Sequence, residues 1–317
     1  MADAADSGAL TVAIGVSTFG AADPAPRALL AAAGARLVEN PHGRTLKELE
    51  VAELLREADG LIAGTEPLTA VVLEGSPRLR AISRVGVGTD NVDLAAAARL
   101  GIAVFNTPDA VTQAAAELTL GGILSVLRHI HFMDRELREG RWTRKMGSLL
   151  SGKTVGIVGL GRVGKRVAGL LEPFGVERIG YDIFPDTTWA HEHGVTITPF
   201  HRLLERSDIV TIHTSKSPDV GPIFGAAELA LLKPGAVIVD TARGEVLDEA
   251  ALVEALRDGR LAGAYLDVFA QEPYDGPLRE LPNVLLTPHA GSYAEEARVR
   301  METEAAEQLL GFLTEAR

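Results

Sequence analysis

In the second half of the chain, three residue types suited to holding a carboxylate and moving a proton each follow an apolar run. Arg243 lies in Asp240-Thr241-Ala242-Arg243-Gly244, after Ala236–Val239. Glu272 closes Asp267-Val268-Phe269-Ala270-Gln271-Glu272-Pro273, after Gly263–Leu266. His289 stands in Thr287-Pro288-His289, after Val284–Thr287. If the runs are parallel strands, their carboxyl ends share one edge, where open α/β sheets place ligands. An arginine there can grip a carboxylate with two bonds and polarise the neighbouring carbonyl. A histidine can give a proton to the carbonyl oxygen or take it back. A glutamate near it favours the imidazolium and raises its pKa. Together these types suit hydride transfer between a ketone and an alcohol beside a carboxylate. Singly, each has a plainer reading as an ion-pair partner, a turn or a helix cap; their convergence on one edge carries the functional reading.

A hydride needs a donor, and the sequence holds a place for one. The apolar stretch Thr154–Val158 runs into Gly159-Leu160-Gly161-Arg162-Val163-Gly164 and then into a helical stretch. The first glycine allows a tight turn, the second lets backbone approach a pyrophosphate, and the third lets helix pack on strand. A second strand ends at Asp182, eighteen residues past Gly164. A carboxylate there suits the two ribose hydroxyls of NAD and repels a 2′-phosphate, and Ile183-Phe184-Pro185 brings no arginine to welcome one. NAD is the expected cofactor, and Asp267 is placed to accept a hydrogen bond from the nicotinamide carboxamide.

The elements that must position these residues follow from the hydrophobic pattern. The 317 residues, 46% hydrophobic and 23% charged, suit about two globular domains. A formal charge of −12 argues against nucleic acid or an anionic membrane as partner. The absence of cysteine removes disulfides, thiolate nucleophiles and Cys-ligated metal. No apolar run is expected to approach the ~18 residues of a membrane span, and the acidic start lacks a basic leader, so the expectation is cytoplasmic. Strands are expected at Val12–Val16, Leu37–Glu39, Leu61–Ala63, Ala81–Ser83 and Ala103–Phe105. Between them come a helix from Pro24 to Gly34, one opened by a capping box at Thr45–Glu48, and two capped by Thr69 and Asp93. One long apolar helix is expected from about Ala110 to Leu137. Six parallel strands come after it, near Val155–Val158, Arg178–Tyr181, Ile209–Ile212, Ala236–Val239, Gly263–Leu266 and Val284–Thr287. A polar helix closes the chain from about Tyr293 to Leu313. His129-x-His131 and His191-x-His193 place their side chains on different helix faces, so no metal site is expected.

These motifs resemble the D-isomer-specific 2-hydroxyacid dehydrogenases. The resemblance runs through Gly159–Gly164, Leu232-Lys233-Pro234-Gly235, Asp240–Gly244, Leu266–Phe269 with Glu272-Pro273, and Thr287–His289. Arg84-Val85-Gly86-Val87-Gly88-Thr89-Asp90-Asn91-Val92-Asp93 and Asn106-Thr107-Pro108 extend it into the first third. The nearest branch is the phosphoglycerate dehydrogenase type, here expected without C-terminal regulatory domains. The resemblance implies an α/β protein of two open parallel-sheet domains. A Rossmann NAD-binding domain at 107–291 would be inserted into a flavodoxin-like substrate domain formed by 1–106 and 292–317. It implies Arg243, Glu272 and His289 as the catalytic trio and backbone N–H groups around Val87 and Gly88 for the substrate carboxylate. Thr214 and Thr241 join the glycine loop, Asp182 and Asp267 among the expected cofactor contacts. It also implies a homodimer through the cofactor domain, with the long helix and the Trp142 segment at the interface, and closure about hinges near residues 106 and 291.

Departures bear on the substrate, expected to be a small anionic 2-oxo or 2-hydroxy acid. Many 3-phosphoglycerate enzymes carry an Arg-Ser pair after the third strand; here stand Ala63-Gly64 and Thr65-Glu66-Pro67. Arg84 either supplies the missing cation or serves as a structural ion pair. Ala114 replaces a small hydroxyl residue, and Thr214-Ser215-Lys216-Ser217 replaces a Pro-Leu pair. The substrate classes left open are 3-phosphoglycerate-like, hydroxypyruvate or glyoxylate, and phosphonopyruvate-like. Two other functions stay open: an NAD(H)-sensing binding protein of the corepressor type, and a phosphite dehydrogenase on the same scaffold. Glu272 disfavours the formate type, whose pattern has glutamine there. Asp182→Ala is expected to weaken NADH binding about tenfold, the worth of one charge-assisted hydrogen bond, and to narrow the preference over NADPH. Fluorescence titration with both nucleotides checks this, and an unaltered ratio assigns selectivity to another residue.

Overall fold

Short apolar runs separated by helical segments pair readily as parallel strands, because the helices supply the long crossovers that parallel pairing needs. The computed structural model describes residues 10–215 and 221–315 and divides the chain into two units. Lys216 and Ser217 lie outside the described residues. The first unit comprises residues 1–111 and 292–317, the second Thr112–Gly291.

The first unit alternates β1 (Thr11–Ile14), α1 (Ala25–Ala32), β2 (Arg36–Glu39), α2 (Glu48–Leu54), β3 (Gly60–Ala63), α3 (Ala70–Glu74), β4 (Ala81–Arg84), α4 (Leu94–Leu100) and β5 (Ala103–Asn106). Its sheet has the order β2-β1-β3-β4-β5, all pairs parallel, which is the flavodoxin-like order. β1 and β3 are buried throughout, so they read as continuous apolar runs without alternation. Thr69 and Asp93 cap α3 and α4 by accepting the Val72 and Ala96 N–H groups. The expected capping box at Thr45–Glu48 is displaced. α2 begins at Glu48, and its box glutamate is Glu50, which accepts the Lys47 N–H at 2.8 Å while Arg44 holds its carboxylate.

α5 (Pro108–Leu127) leads from the first unit into the second, followed by α6 (Ile130–Arg138). The single long helix expected over Ala110–Leu137 is therefore two. The break lies at Arg128–His129, where His129 takes a left-handed φ of 52°. The returning chain causes it. Ser148 donates its N–H to the Leu127 carbonyl at 2.9 Å, and Gly147 lies so close that a Cβ there would fall 2.5 Å from that oxygen. α5 is long and apolar enough in composition to cross a membrane; in the fold its Ala116, Ile123, Val126 and Leu127 are core residues of the second unit.

The second unit continues with β6 (Thr154–Val158), α7 (Arg162–Leu171), β7 (Glu177–Tyr181), α8 (Thr187–Glu192), β8 (Val195–Ile197), α9 (Phe200–Arg206) and β9 (Ile209–Ile212). After it come α10 (Ala226–Leu231), β10 (Ala236–Asp240), α11 (Glu249–Arg257), β11 (Leu261–Leu266) and β12 (Val284–Leu286). These form a seven-stranded parallel sheet in the order β12-β11-β10-β9-β6-β7-β8, the Rossmann arrangement with its switch between β6 and β9. The hydrophobic pattern predicts six strands. The seventh is β8, three residues between Gly194 and Pro199, too short to show a period.

The last helix, α12 (Glu295–Glu315), belongs to the first unit. Its Met301, Ala305, Ala306, Leu309 and Leu313 are buried with Val12, Ile14, Ile62 and Ala81. Gly60 admits this packing, since a Cβ there would lie 2.8 Å from Leu313 and 2.9 Å from Leu309. Farther along, Gln308 bridges Ser83 and the Asn106 carbonyl. The polar residues that mark this helix in the sequence lie on its other side, although Glu302 is buried. It accepts the Gly20 N–H at 2.8 Å and pairs with Arg298 at 2.7 Å.

Candidate active site

Three loops at the carboxyl edge of the second unit's sheet carry the reactive side chains, and backbone packing sets their spacing. Arg243 follows β10 and precedes Gly244, whose absent Cβ would lie 1.9 Å from the Phe269 carbonyl carbon. Glycine at 244 thus lets the Arg243 loop press directly on the loop after β11. There Glu272 turns back to accept the Phe269 N–H at 3.1 Å with Oε1. Its other oxygen, Oε2, lies 2.9 Å from His289 Nδ1. His289 itself adopts φ +52°, a left-handed conformation uncommon outside glycine.

Asp267, fully buried at the end of β11, holds that conformation. Its backbone carbonyl accepts the His289 N–H at 2.8 Å. Its Oδ1 accepts the Ala290 N–H at 2.7 Å and the Thr287 hydroxyl at 2.5 Å, and its Oδ2 accepts the Gly291 N–H at 2.8 Å. Burial pushes the Asp267 carboxyl up, while these donors and the nearby His289 pull it down; the net direction is up.

The electrostatics of the trio follow from these contacts. The Glu272 hydrogen bond raises the His289 pKa against the opposing effects of burial and of Arg243. Burial pushes Glu272 up, but the His289 bond and charge outweigh it and hold the carboxyl below its ordinary value. Arg243 acts electrostatically on both partners, so the three side chains form one coupled group. Asp240, the last residue of β10, is fully buried, and burial pushes it up to about 8. Its Oδ1 accepts the Ala242 N–H at 2.9 Å and helps turn the chain towards Arg243.

The same edge holds a fitted cradle for a dinucleotide. Gly159 has φ +91°, and a Cβ there would lie 2.5 Å from the His213 carbonyl. A Cβ on Gly164 would lie 1.9 Å from the Gly159 carbonyl, so the third glycine is the condition for α7 to start where it does. Gly161 faces open space and caps α7 without any side-chain bond, leaving the helix N–H groups to an anion. Asp182 ends β7 beside this turn, with Oδ2 accepting the Leu160 N–H at 2.7 Å and Oδ1 the Phe184 N–H at 2.9 Å. The nearest lysine of α7, Lys165, is bound by Asp186 at 2.7 Å.

The sequence-derived residues thus separate by unit. Arg243, Glu272, His289, Asp267, Asp182 and the loop Gly159, Leu160, Gly161, Arg162, Val163 and Gly164 come together in the second, with Thr214 and Thr241 at the ends of β9 and β10. The Thr241 hydroxyl also meets that of Thr119 on α5 at 2.9 Å. Arg84, Val87 and Gly88 belong to the first unit, at the end of β4 and beyond it. There Arg84 donates to the Val85 carbonyl at 2.6 Å and to Asn91 Oδ1 at 3.4 Å. Asn91 bonds the Glu66 carbonyl at 2.7 Å, and the Glu66 carboxylate, 1% exposed, accepts the Gly64 N–H. Sequence reasoning gave no role to His213, Asp240, Tyr265 or Thr287, although Asp240 and Thr287 stand inside the motifs it quotes. The available signal was position: Asp240 ends β10, His213 and Thr287 follow β9 and β12, and Tyr265 lies within β11 two residues before Asp267.

Residues 120–291 match the family model described as D-isomer specific 2-hydroxyacid dehydrogenase, NAD binding domain. The chain is 42% identical over 278 residues to D-3-phosphoglycerate dehydrogenase of Methanocaldococcus jannaschii, covering 86% of this chain and 52% of that protein. It is 38% identical over 271 residues to glyoxylate reductase of Korarchaeum cryptofilum, covering 83% and 82%. The chain spans about half the length of the curated phosphoglycerate dehydrogenases it matches. The crystal structure of the TT0316 protein from Thermus thermophilus superposes with a TM-score of 0.88 at 34% identity, over 96% of this chain and 97% of that one.

Replacing Glu272 with Gln is expected to lower the titration midpoint of the His289 imidazole. NMR of the histidine Cε1–H signals measures it, and an unmoved midpoint assigns the raised value to another group.

Proposed function

The chain belongs to the D-isomer-specific 2-hydroxyacid dehydrogenase family, and from that premise we propose that it interconverts a small 2-oxo acid and its D-2-hydroxy acid with NAD(H). The observation that carries the reading is the His289–Glu272 pair at 2.9 Å, coupled to Arg243 on the sheet edge that bears the glycine cradle. In the reductive direction Arg243 binds the substrate carboxylate and draws electron density from the adjacent carbonyl. The dinucleotide, when bound, supplies the hydride from its dihydronicotinamide ring. As the carbonyl carbon is reduced, His289 gives its proton to the oxygen, which completes the D-2-hydroxy acid. Glu272 holds the imidazole by Nδ1, which leaves Nε2 as the proton-bearing atom facing the substrate. Because reduction uses the protonated form, it is maintained below the raised His289 pKa and lost as pH rises through it. Oxidation uses the neutral form and follows the opposite course.

For the substrate, Val87 and Gly88 beyond β4 are the proposed backbone donors to the carboxylate. Among the classes left open, a 2-oxo acid without a second anionic group is best supported. Arg84 is engaged with Val85 and Asn91, and the neighbouring loop Ala63-Gly64-Thr65-Glu66-Pro67 brings no cation to a phosphate or phosphonate. Glyoxylate and hydroxypyruvate are of the favoured kind. The alternative of an NAD(H) sensor uses the same cradle but leaves the coupled trio without a task.

Arg243→Ala is expected to lower kcat/KM by about a hundredfold or more while NADH affinity stays within a few-fold. Absorbance at 340 nm checks this against a panel of glyoxylate, hydroxypyruvate, pyruvate, 2-oxoglutarate, phosphonopyruvate and 3-phosphohydroxypyruvate. Preference for a phosphorylated acid assigns Arg84 to the substrate, and NADH binding without turnover of any acid replaces the enzyme reading by the sensor.

A homodimer through the second unit belongs to the same proposal. Trp142, Met146 and Leu149 are 80%, 93% and 71% exposed, and Ile130 and Leu137 lie in the same stretch of chain. So much apolar surface in one short segment marks an interaction face. Sedimentation equilibrium is expected to give twice the chain mass, and Trp142→Glu with Met146→Glu to give monomer; a monomeric wild-type chain overturns this part.

A further inference from the structure

Tyr265 lies near the end of β11, two residues before Asp267, and is fully buried. Its ring fills a notch in α5 left by Gly122, where a Cβ would stand 1.9 Å from the ring. Filling that notch needs only the ring, and phenylalanine would serve. The hydroxyl has its own partner, Thr287 Oγ1 at 2.9 Å. Thr287 in turn donates to Asp267 Oδ1 at 2.5 Å. Since the threonine proton points at the carboxylate, the phenol must be the donor to Thr287. The bonds therefore run in one direction, from the core aromatic to the carboxylate that binds Ala290 and Gly291, the two residues after His289.

We propose that Tyr265 is a positioning residue, whose phenol, relayed by Thr287, orients and keeps ionised the Asp267 carboxylate that holds His289 in place. Its consequence for turnover rests on the dehydrogenase reading; the hydrogen-bond chain does not. The ionisable groups that face Asp267 are His289, Asp240 on the adjoining β10 and Tyr265 itself. Of these only His289 stabilises the carboxylate, so the neutral donors decide whether it stays charged in a buried site. A hydroxyl that accepts one hydrogen bond becomes a stronger donor in the next, by about 10–30% per bond.

The test compares Tyr265→Phe, Thr287→Val and Thr287→Ser in the full chain. Side-chain carboxyl ¹³C NMR of aspartate-labelled protein reads the Asp267 midpoint, its signal being the one missing from Asp267→Asn. Tyr265→Phe is expected to raise the midpoint by about half a pH unit, Thr287→Val by more, and Thr287→Ser to leave it near wild type. With an accepted 2-oxo acid, the low-pH limb of kcat should move in parallel, a response that loosened packing alone does not give. An unmoved Asp267 midpoint in Tyr265→Phe overturns the proposal. Where that variant folds poorly, equal midpoints in Thr287→Val and Thr287→Ser overturn it instead. Absence of wild-type turnover would remove the dehydrogenase reading, and the carboxyl titration would still decide the role of Tyr265.

Discussion

The arrangement of the catalytic edge depends on one buried carboxylate. Asp267 sits where β11 stops, with water excluded, and takes its hydrogen bonds from the loop after the neighbouring strand. A charge in such a place is stable only when several donors meet it. The loop that supplies the donors is thereby folded into a conformation that costs His289 its ordinary backbone geometry. Moving the carboxylate would release the strain and the histidine together. Arg243 and Glu272 are tied to the same place from the other side, because Phe269 supports both their loops.

The second constraint is the absence of side chains at chosen points. At Gly164 and Gly244 two backbone segments approach so closely that no Cβ fits between them. The first contact packs the start of α7 on the turn after β6, at the phosphate cradle, and the second packs the Arg243 loop on the loop after β11, at the proton-transfer group. Side chains flex, whereas backbone against backbone does not, and reacting groups need placement to within about half an ångström. The glycines thus act as dimensional stops for the two halves of the site.

Much of this is legible in the sequence, because parallel sheets read as apolar runs and the residues just past each run share one edge. The strands fall within two residues of their expected places, and the Asp93 and Thr69 caps are where the pattern puts them. The features that escape it are decided by contacts distant in sequence. β8 is too short to carry a period, and α5 ends at Leu127 because Gly147 and Ser148 return to its terminus. Residues 128–137 remain helical in composition and give no local sign of the interruption. Arg243, Glu272 and His289 can be named from types and position, but the Tyr265–Thr287–Asp267 chain cannot. A tyrosine in an apolar strand looks like core, and only three dimensions show where its hydroxyl goes.

α12 covers one face of the first unit's sheet but is encoded after the whole of the second unit. During synthesis β1 to β5 leave the ribosome long before the helix that buries Val12, Ile14, Ile62 and Ala81 exists. The second unit has its own sheet and core and can fold in that interval, as domains do during translation. The first unit must wait with an apolar face open, so the polypeptide passes through a stage in which its cofactor-binding half is finished and its other half is adhesive.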